Sequence, residues 1–531
     1  MSERAHLRSA ERRSTGPTSG EARWAAAVAL VAFAAYALVV PGVSSDKDGS
    51  EFTLVLATLG LSHPTGYPLY TLIGHAFVAL VHAAGTSWDR AANLWSALGG
   101  AAALGLVHAL AARLLRFAGV EARAARWVAL LPVTALAFNP AWTLDATLAE
   151  VNSWHLAWVA LAALAGIQLL EAARPLSARD GGIWGLVCGL GLAHHRTSVF
   201  VIAPFTLAVC AKWWGSRPRR WNVIAIGALT AALPLLSYGY VFYRAAHPAR
   251  VQWGGMGAGV AGALRHIMGS EYLLYLGRFA PDPVQRRLIA THVYPWLLPG
   301  VALMAIWAWR ARAPGAPARL ALFACAALSV TYSFVYGVPD PSSYFLPAMM
   351  LSLAEAPAAV ASLPVARRGA RAIVAVSGIL IVFALALGAR YSVARRAAYV
   401  QYDATLHSLW RSIPADSGFV LWPDDMIAHL AEYQLLAGEK PSLELIHPVE
   451  ITQLAPRGRF IARHGFDPVP TQEIGARARA RPPRDVQELA VLIAGAVADQ
   501  INARSSLPVI WFDPAAGTAR VMAKADSPAG K

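Results

Sequence analysis

The sequence predicts an all-α polytopic membrane protein followed by a small α/β domain. Of its 531 residues, 56% are hydrophobic and 15% are charged, whereas about 25% are charged in an average soluble domain. A single soluble core stops growing at about 250–300 residues, so a mean hydropathy of +0.44 over this length requires apolar surface that faces lipid. Apolar windows of about 20 residues, enough to cross a bilayer core, recur along the chain. These observations argue against a water-soluble enzyme.

About eleven apolar segments are predicted to cross the membrane. A further segment, residues 67–84, is apolar but carries His75 and His82, and we expect it to lie at the outer interface as an amphipathic helix. With that assignment, every basic cluster between spans falls on the cytoplasmic side, as the positive-inside rule requires. The predicted spans begin near Trp24, Ala91, Trp127, Leu148, Gly182, Thr197, Trp221, His292, Arg319, Ser343 and Ala372.

Composition divides the chain into three parts. Residues 1–23 are polar and rich in Arg and Ser, which predicts a disordered cytoplasmic tail. Residues 24–390 are predicted to form the membrane domain, whose first apolar run is too long for a signal peptide and lacks a small-residue cleavage site. Residues 391–531 are more polar, and an odd number of crossings places them on the non-cytoplasmic side.

The part after residue 390 is predicted to be an α/β domain. Short apolar runs between turn residues are typical of strands, and apolar residues at helical spacing are typical of helices. Pro482 and Pro483 favour a loop around them. The predicted elements are strands at 419–422, 443–446 and 508–512, helices at 425–436 and 486–501, and a loop at 477–484.

Charge and cysteine content exclude several classes of function. The formal net charge of +15 is typical of cytoplasmic loops in a membrane protein, so nucleic acid is not an expected partner. The three cysteines, Cys188, Cys210 and Cys325, each lie in an apolar stretch. They provide neither a disulfide framework nor a CxxC metal site.

The segment after the first span concentrates acidic residues in a chain that otherwise has few. Asp48 and Glu51 are three residues apart, so a helix that begins near Gly49 would place both on one face of its first turn, where the helix dipole favours negative charge. The alternative is a solvated N-cap, and the spacing alone does not decide between them.

Further acids fall at the outer ends of predicted spans, where an ionisable group usually has a partner or a function. Asp145 could be a loop charge. Glu150 begins an otherwise apolar helix, which favours a functional role. Asp340 lies shortly before Tyr344 in another outer segment. All four residues are candidates for substrate binding.

A basic triplet, His194-His195-Arg196, interrupts an apolar run at a predicted outer turn. Such a cluster can bind phosphate, with Arg offering two parallel hydrogen bonds; the alternative is snorkelling to lipid headgroups. Arg90 is a second-line phosphate candidate. The histidines, His63 included, follow no metal-ligand spacing such as HExxH.

Short motifs in a fixed order resemble the transmembrane protein 260 family and its bacterial relatives, known as domain of unknown function 2723. The similarity covers residues from about 25 to about 360 and is carried by the ordered set. This sequence departs from the family at Thr65, at Asn152 and in the spacing of its first carboxylates. The motifs are Asp48-Gly49-Ser50-Glu51-Phe52, His63-Pro64-Thr65-Gly66-Tyr67-Pro68, Asp89-Arg90-Ala91-Ala92-Asn93-Leu94-Trp95-Ser96-Ala97, Glu150-Val151-Asn152, Gly191-Leu192-Ala193-His194-His195-Arg196-Thr197, and Asp340 with Tyr344-Phe345-Leu346-Pro347.

The resemblance implies a GT-C glycosyltransferase similar to protein O-mannosyltransferases, with a multi-span bundle and interfacial helices in the first outer loop. It implies a polyprenyl-phosphate sugar as donor and a hydroxyl on a protein or cell-surface glycan as acceptor, with membrane lipid as a further partner. We expect a multi-pass protein of a bacterial inner membrane whose site faces the non-cytoplasmic side.

The resemblance also implies roles for the acids. By its position before Phe52, Asp48 resembles the catalytic aspartate of the O-mannosyltransferases, and we expect it to act as general base with inversion at the sugar carbon. Glu51 is expected to hold the acceptor or to orient His63.

Arg196 and His195 are expected to stabilise the leaving phosphate as cations. No cofactor is therefore expected, although the outer acids could hold a divalent metal.

Two other classes of function remain open from the sequence. A lipid-linked-sugar flippase or transporter would also have about a dozen spans, but such proteins tend to have two related halves with helices broken at the midplane. A membrane-anchored binding protein would leave the outer acids without a purpose.

Overall fold

The computed structural model describes residues 19–44, 48–216, 218–253, 255–277, 279, 281–309, 315–338, 341–363, 366–423, 426–484, 486–513 and 517–524. It is mostly helical, with one small sheet near the C-terminus. The helices before the sheet are α1 (Ser19–Val39), α2 (Asp48–Thr58), α3 (Pro68–Ala83), α4 (Trp88–Phe117), α5 (Ala122–Val128), α6 (Leu130–Ala137), α7 (Pro140–Thr147), α8 (Asn152–Glu171), α9 (Ala178–His194), α10 (Val199–Gly215), α11 (Asn222–Leu235), α12 (Gly239–Ala246), α13 (Gly259–Met268), α14 (Pro283–Leu288), α15 (Tyr294–Trp309), α16 (Ala316–Val335), α17 (Ser342–Ala361) and α18 (Ala366–Ser412).

The number of spans is smaller than predicted when helices are counted by length and composition. Within the described ranges, nine helices are long and apolar enough to cross a membrane, and the bent pair formed by α5–α6 and α7 makes up to ten. The predicted span that this count leaves out, the one beginning near Gly182, corresponds to α9, which has 17 residues. Helix α3, predicted to lie at the interface, is a shorter apolar helix of 16 residues.

Helix α9 packs against α11 through a stripe of glycines. A Cβ atom added to Gly181, Gly185 or Gly189 would lie 2.0, 1.9 or 2.2 Å from a backbone oxygen of α11. Small residues four apart allow helix backbones to approach this closely in membranes. The two helices run parallel in contact, so α9 has the same direction as the candidate span Asn222–Ala246, whose first part is α11.

Local sequence explains where several of these helices begin. Asn139 caps α7 by accepting from the backbone N–H groups of Ala141 and Trp142, and Pro140 occupies the first turn, where its missing N–H costs nothing. Ser177 and Asp180 form a capping box at the start of α9. The main apolar core lies among α4, α8, α16 and α17 and the helices around them.

The predicted α/β domain is present. Its parallel sheet has strand order β2-β1-β3 and an antiparallel edge strand β4. Its elements are β1 (Ser417–Leu421), α19 (Ile427–Leu435), β2 (Ser442–Ile446), α20 (Leu454–His464), α21 (Thr471–Ala480), α22 (Val486–Arg504), β3 (Val509–Asp513) and β4 (Thr518–Val521).

Two predicted boundaries lie within helices. Helix α18 continues without a break through residue 390, where the membrane domain was expected to end, because the helical stretch outlasts the apolar one. Part of the predicted 477–484 loop belongs to α21, in which Glu473 and Arg477 form an i,i+4 ion pair. Most of the predicted tail, residues 1–18, lies outside the described residues, and α1 begins at Ser19.

The C-terminal domain contacts the first outer loop through α19. Ser44 Oγ donates to Glu432 Oε2 at 2.5 Å and lies 3.2 Å from His429 Nδ1. The same hydroxyl lies 2.9 Å from Ser50 Oγ, inside the first turn of α2. On the far side, His429 Nε2 bonds Asp403 of α18 at 2.8 Å. The domain therefore holds the chain on both sides of Asp48.

Candidate active site

Helix α2 begins at Asp48 and carries both predicted acids in its first turn. Glu51 Oε1 accepts the backbone N–H of His63 at 2.5 Å, and its Oε2 lies 2.9 Å from His63 Nδ1. One ligand atom each from Asp48, Glu51 and His63 lies within 4.8 Å of the others. The two motifs of the first outer loop thus meet at one point, and Glu51 orients His63.

Tyr67, which was not predicted as a site residue, connects this acidic cluster to the histidines. Its hydroxyl lies 3.4 Å from His63 Nε2, and its ring stacks on His195 with centroids 5.9 Å apart. Burial, and after it the negative charge of Asp48, raises the pKa of the Tyr67 phenol well above its usual range, with further contributions from Glu150 and Glu51. The phenol therefore stays protonated among three carboxylates.

A second outer segment, between α12 and α14, packs on the same cluster. Its backbone pairs with the first loop where Trp253 N–H donates to Leu61 O at 2.9 Å. The rings of Trp253 and Tyr272 lie 5.9 and 6.1 Å from that of His63. These aromatic residues carried no signal in the sequence, because only the tertiary fold brings them to His63.

The structure changes the expected role of the histidine pair. Burial lowers the pKa of His195 to about 3, with smaller effects from the neighbouring cations, so His195 is neutral at physiological pH. His195 Nδ1 is bonded to Thr197 Oγ1 at 2.7 Å, and His194 Nε2 lies 3.2 Å from the Val151 carbonyl oxygen. The expectation of a cationic His195 is wrong because the side chain is desolvated.

Arg196 is exposed at the edge of this cluster. One of its NH groups donates to the Met268 carbonyl, at the C-terminus of α13. A Cβ on the adjacent Gly269 would lie 2.5 Å from that guanidinium nitrogen and 3.8 Å from Pro64. Arg196 therefore lies near the His63-Pro64 turn with part of its surface open to a ligand.

The other predicted residues fall at different distances from this centre. Glu150 lies near Tyr67 and is bonded through its backbone to Ser96. Buried Asp145 accepts from Ser343 Oγ at 2.9 Å. The ring of Tyr344 lies 6.5 Å from that of His195. Asp340 lies outside the described residues.

Arg90 is placed away from the phosphate candidates. Its guanidinium donates to the Ala37 carbonyl at 2.9 Å, at the outer end of α1, and its backbone N–H bonds the Ser87 cap of α4. Its neighbour Asp89 interacts electrostatically with His429 and Asp403. Arg90 is thus beside the contact with the C-terminal domain, not beside Arg196.

Residues 48–216 match the family described as "Protein O-mannosyl-transferase TMEM260 N-terminal domain". The predicted family resemblance is confirmed. This TMEM260-like region contains the acidic cluster, Tyr67 and the basic triplet.

A curated relative and two solved structures extend the comparison. Protein O-mannosyl-transferase tmem260 of Dictyostelium discoideum is 23% identical over 245 residues, which cover 44% of this chain and 28% of the relative. The chain thus spans less than a third of that relative's length. The structure of ArnT from Cupriavidus metallidurans bound to undecaprenyl phosphate matches with a TM-score of 0.52, at 12% identity over 94% of each chain.

An oligosaccharyltransferase from Archaeoglobus fulgidus matches with a TM-score of 0.48, at 14% identity over 95% of this chain and 75% of that one. Taken with the helical architecture described above, the ArnT match identifies the fold of this chain as GT-C.

Proposed function

We propose that this chain is an inverting glycosyltransferase that moves a mannose-like sugar from a polyprenyl-phosphate donor to a hydroxyl acceptor. The observation that carries the proposal is the position of Tyr67, which contacts His63 and His195 and lies in the field of Asp48 and Glu51. The proposed general base, Asp48, and the proposed phosphate ligand, Arg196, therefore border one site. The TMEM260 family match over this region supports the same reaction class.

Asp48 is the better candidate for the general base. Both oxygens of Glu51 are engaged by His63, through its backbone N–H and its Nδ1. A carboxylate held in this way orients another group and is less able to take up a proton from a substrate. In the proposed step, Asp48 accepts the proton of the acceptor hydroxyl, whose oxygen forms a bond to the sugar C1.

The leaving group is the polyprenyl phosphate. As the bond between C1 and the phosphate oxygen breaks, its electron pair stays on the phosphate, and Arg196 stabilises the added negative charge through bidentate hydrogen bonds. The polyprenyl phosphate bound to ArnT, a protein of the same fold, is consistent with such a donor.

We place the reaction on the non-cytoplasmic side of a bacterial inner membrane. The helices that end away from the site carry the basic residues: Arg113 pairs with Glu171 at 2.8 Å, and Lys212 bonds the carbonyl of Leu169 at 2.6 Å. Basic residues are retained on the cytoplasmic side. The site and the C-terminal domain share the opposite end.

No metal is needed for the proposed step. Asp48, Glu51 and His63 form a group that could hold an ion, but Glu51 and His63 are already bonded to each other. Arg196 already provides the positive charge that the leaving phosphate requires.

The test is sugar transfer in proteoliposomes with a radiolabelled polyprenyl-phosphate mannose donor. We expect Asp48→Asn to lower the rate at least 100-fold, the usual scale for loss of a general base, with unchanged membrane insertion. Asp499→Asn makes the same chemical change on the surface of the C-terminal domain, where the side chain is half exposed, and should retain full activity. Retained activity in Asp48→Asn would remove the assignment.

A further inference from the structure

A narrow cavity beside His195 is lined by a mixture of polar and apolar residues, and those that the structure describes carry no formal charge. It lies between α8, α10, α16 and α17, and its lining includes His155, Thr197, Ser343 and Tyr344. Among the described residues that line it, none is an acid, a lysine or an arginine. Its volume of about 10 Å³ suits a single hydroxyl group and excludes a whole sugar ring.

Hydrogen bonds fix the tautomers of the two imidazoles that face this cavity. The backbone N–H of Thr197 donates to His195 Nδ1 at 3.3 Å, so that nitrogen is an acceptor and the ring proton is on Nε2. The Thr197 hydroxyl, 2.7 Å from the same Nδ1, must donate to it. Having one proton, the hydroxyl then accepts from His155 Nε2–H at 3.0 Å.

This series of hydrogen bonds leaves one donor and one acceptor without a partner among the described residues. His155 is 4% exposed, and its Nδ1 is buried without a hydrogen-bond partner among the described residues. A buried acceptor in that state is costly, which points to a ligand that satisfies it. The His195 ring, stacked on that of His155 at 4.5 Å, presents its Nε2–H as the complementary donor.

We propose that this cavity is a subsite for one hydroxyl of the donor sugar, which donates to His155 Nδ1 and accepts from His195 Nε2–H. The inference rests on the proposed function and specifies its substrate as a neutral sugar. A hydroxyl both donates and accepts, whereas a protonated amine cannot accept and a carboxylate cannot donate. A deoxy sugar would leave both imidazole nitrogens unpaired. Thr197 is a positioning residue, because its hydroxyl determines which nitrogen each ring presents.

The experiment compares two lipids: bare polyprenyl phosphate and polyprenyl-phosphate mannose. Their affinities are measured on the full chain in nanodiscs, and the ratio of the two reports the contribution of the sugar. We expect Thr197→Val to reduce this ratio about 5- to 10-fold, the scale of one or two buried hydrogen bonds. Thr197→Ser keeps the hydroxyl and should restore the ratio. Both variants should bind the bare lipid as the wild type does, which shows that they are folded.

The outcomes separate this inference from the proposed function. Equal affinity of the wild type for the two lipids, or an unchanged ratio in Thr197→Val and His155→Ala, overturns the subsite even if sugar transfer is observed. If the ratio falls in Thr197→Val as expected but the wild type transfers no sugar, the subsite is supported and the proposed reaction is overturned. Arg196→Gln should weaken both lipids equally, because it contacts the phosphate they share.

Discussion

The glycine stripe between α9 and α11 allows a prediction whose sign can be worked out from the structure. In Gly185→Ala, the new Cβ would lie 1.9 Å from the Gly227 carbonyl oxygen and 2.4 Å from Thr230 Oγ1. The first of these is backbone, so the helices must separate. Overpacking of this kind costs about 1–3 kcal/mol, whereas alanine gains about 0.5–1 kcal/mol over glycine within a helix. We expect a net loss of about 1–2 kcal/mol.

Gly182→Ala is the matched control on the same helix. Its Cβ would meet the methyl groups of Ile226 at 3.2 Å and Thr230 at 3.8 Å, both on side chains that can rotate. The higher helix propensity of alanine is then opposed by little steric repulsion, and the stability of the folded state should be unchanged or slightly higher.

Thermal unfolding of the full chain, followed by tryptophan fluorescence in one detergent, measures both effects. For 531 residues, this loss should lower the Tm of Gly185→Ala by about 1–2 °C relative to wild type. It should also weaken binding of polyprenyl phosphate, because α9 leads directly into Arg196. If Gly185→Ala proves as stable as Gly182→Ala, the close contact between these backbones does not exist.

Three further predictions concern the acids of the outer face. Glu51→Gln should lower transfer activity about tenfold, since an amide can accept only one of the two hydrogen bonds to His63. The loss in Asp48→Asn should be far larger, and initial rates at saturating donor distinguish the two variants. Incubation with EDTA should leave transfer activity within twofold of the untreated enzyme, and loss restored by added Mn²⁺ or Mg²⁺ would show that the acidic cluster holds a metal. Burial, and then the charge of Asp89, raises the pKa of Glu432 well above its usual range, so the folded state binds a proton that the unfolded state releases above about pH 4.5. Stability should therefore fall as pH rises from about 4.5 to the folded-state pKa, and Glu432→Gln should flatten this dependence in unfolding scans at pH 5–8.

The fold could be predicted from the sequence to the extent that hydrophobicity specifies it. Apolar windows identify the spans, and short apolar runs identify three strands of the C-terminal sheet, because both signals are local. The predicted count differs from the structure at α9, which has 17 residues and a glycine-rich face. The predicted end of the membrane domain at residue 390 lies within α18, because this helix continues after its apolar part ends.

The candidate site was predictable where motifs lie close together in the chain. Asp48, Glu51 and His63 come from one loop, and the structure brings them together. His155 and Thr197 were missed, because their pairing depends on how α8 meets the turn after α9. The charge of His195 could not be predicted either, because the desolvation of its side chain depends on neighbours from other helices. Arg90 shares a motif with the site but faces the C-terminal domain.

The distribution of charge in the site follows from the cost of burying it. Arg196 is exposed and Asp48 is half exposed, so the groups that exchange charge with the substrates stay near water, where a charge is least costly. Deeper in the protein, His155, Thr197 and His195 are uncharged and joined by hydrogen bonds, which satisfies most of their polar atoms without the penalty of an isolated ion. Such an arrangement can bind a neutral sugar inside the bundle while its phosphate remains at the edge. A donor whose sugar carried a charge would require a counter-charge in the lining, and the described lining provides none.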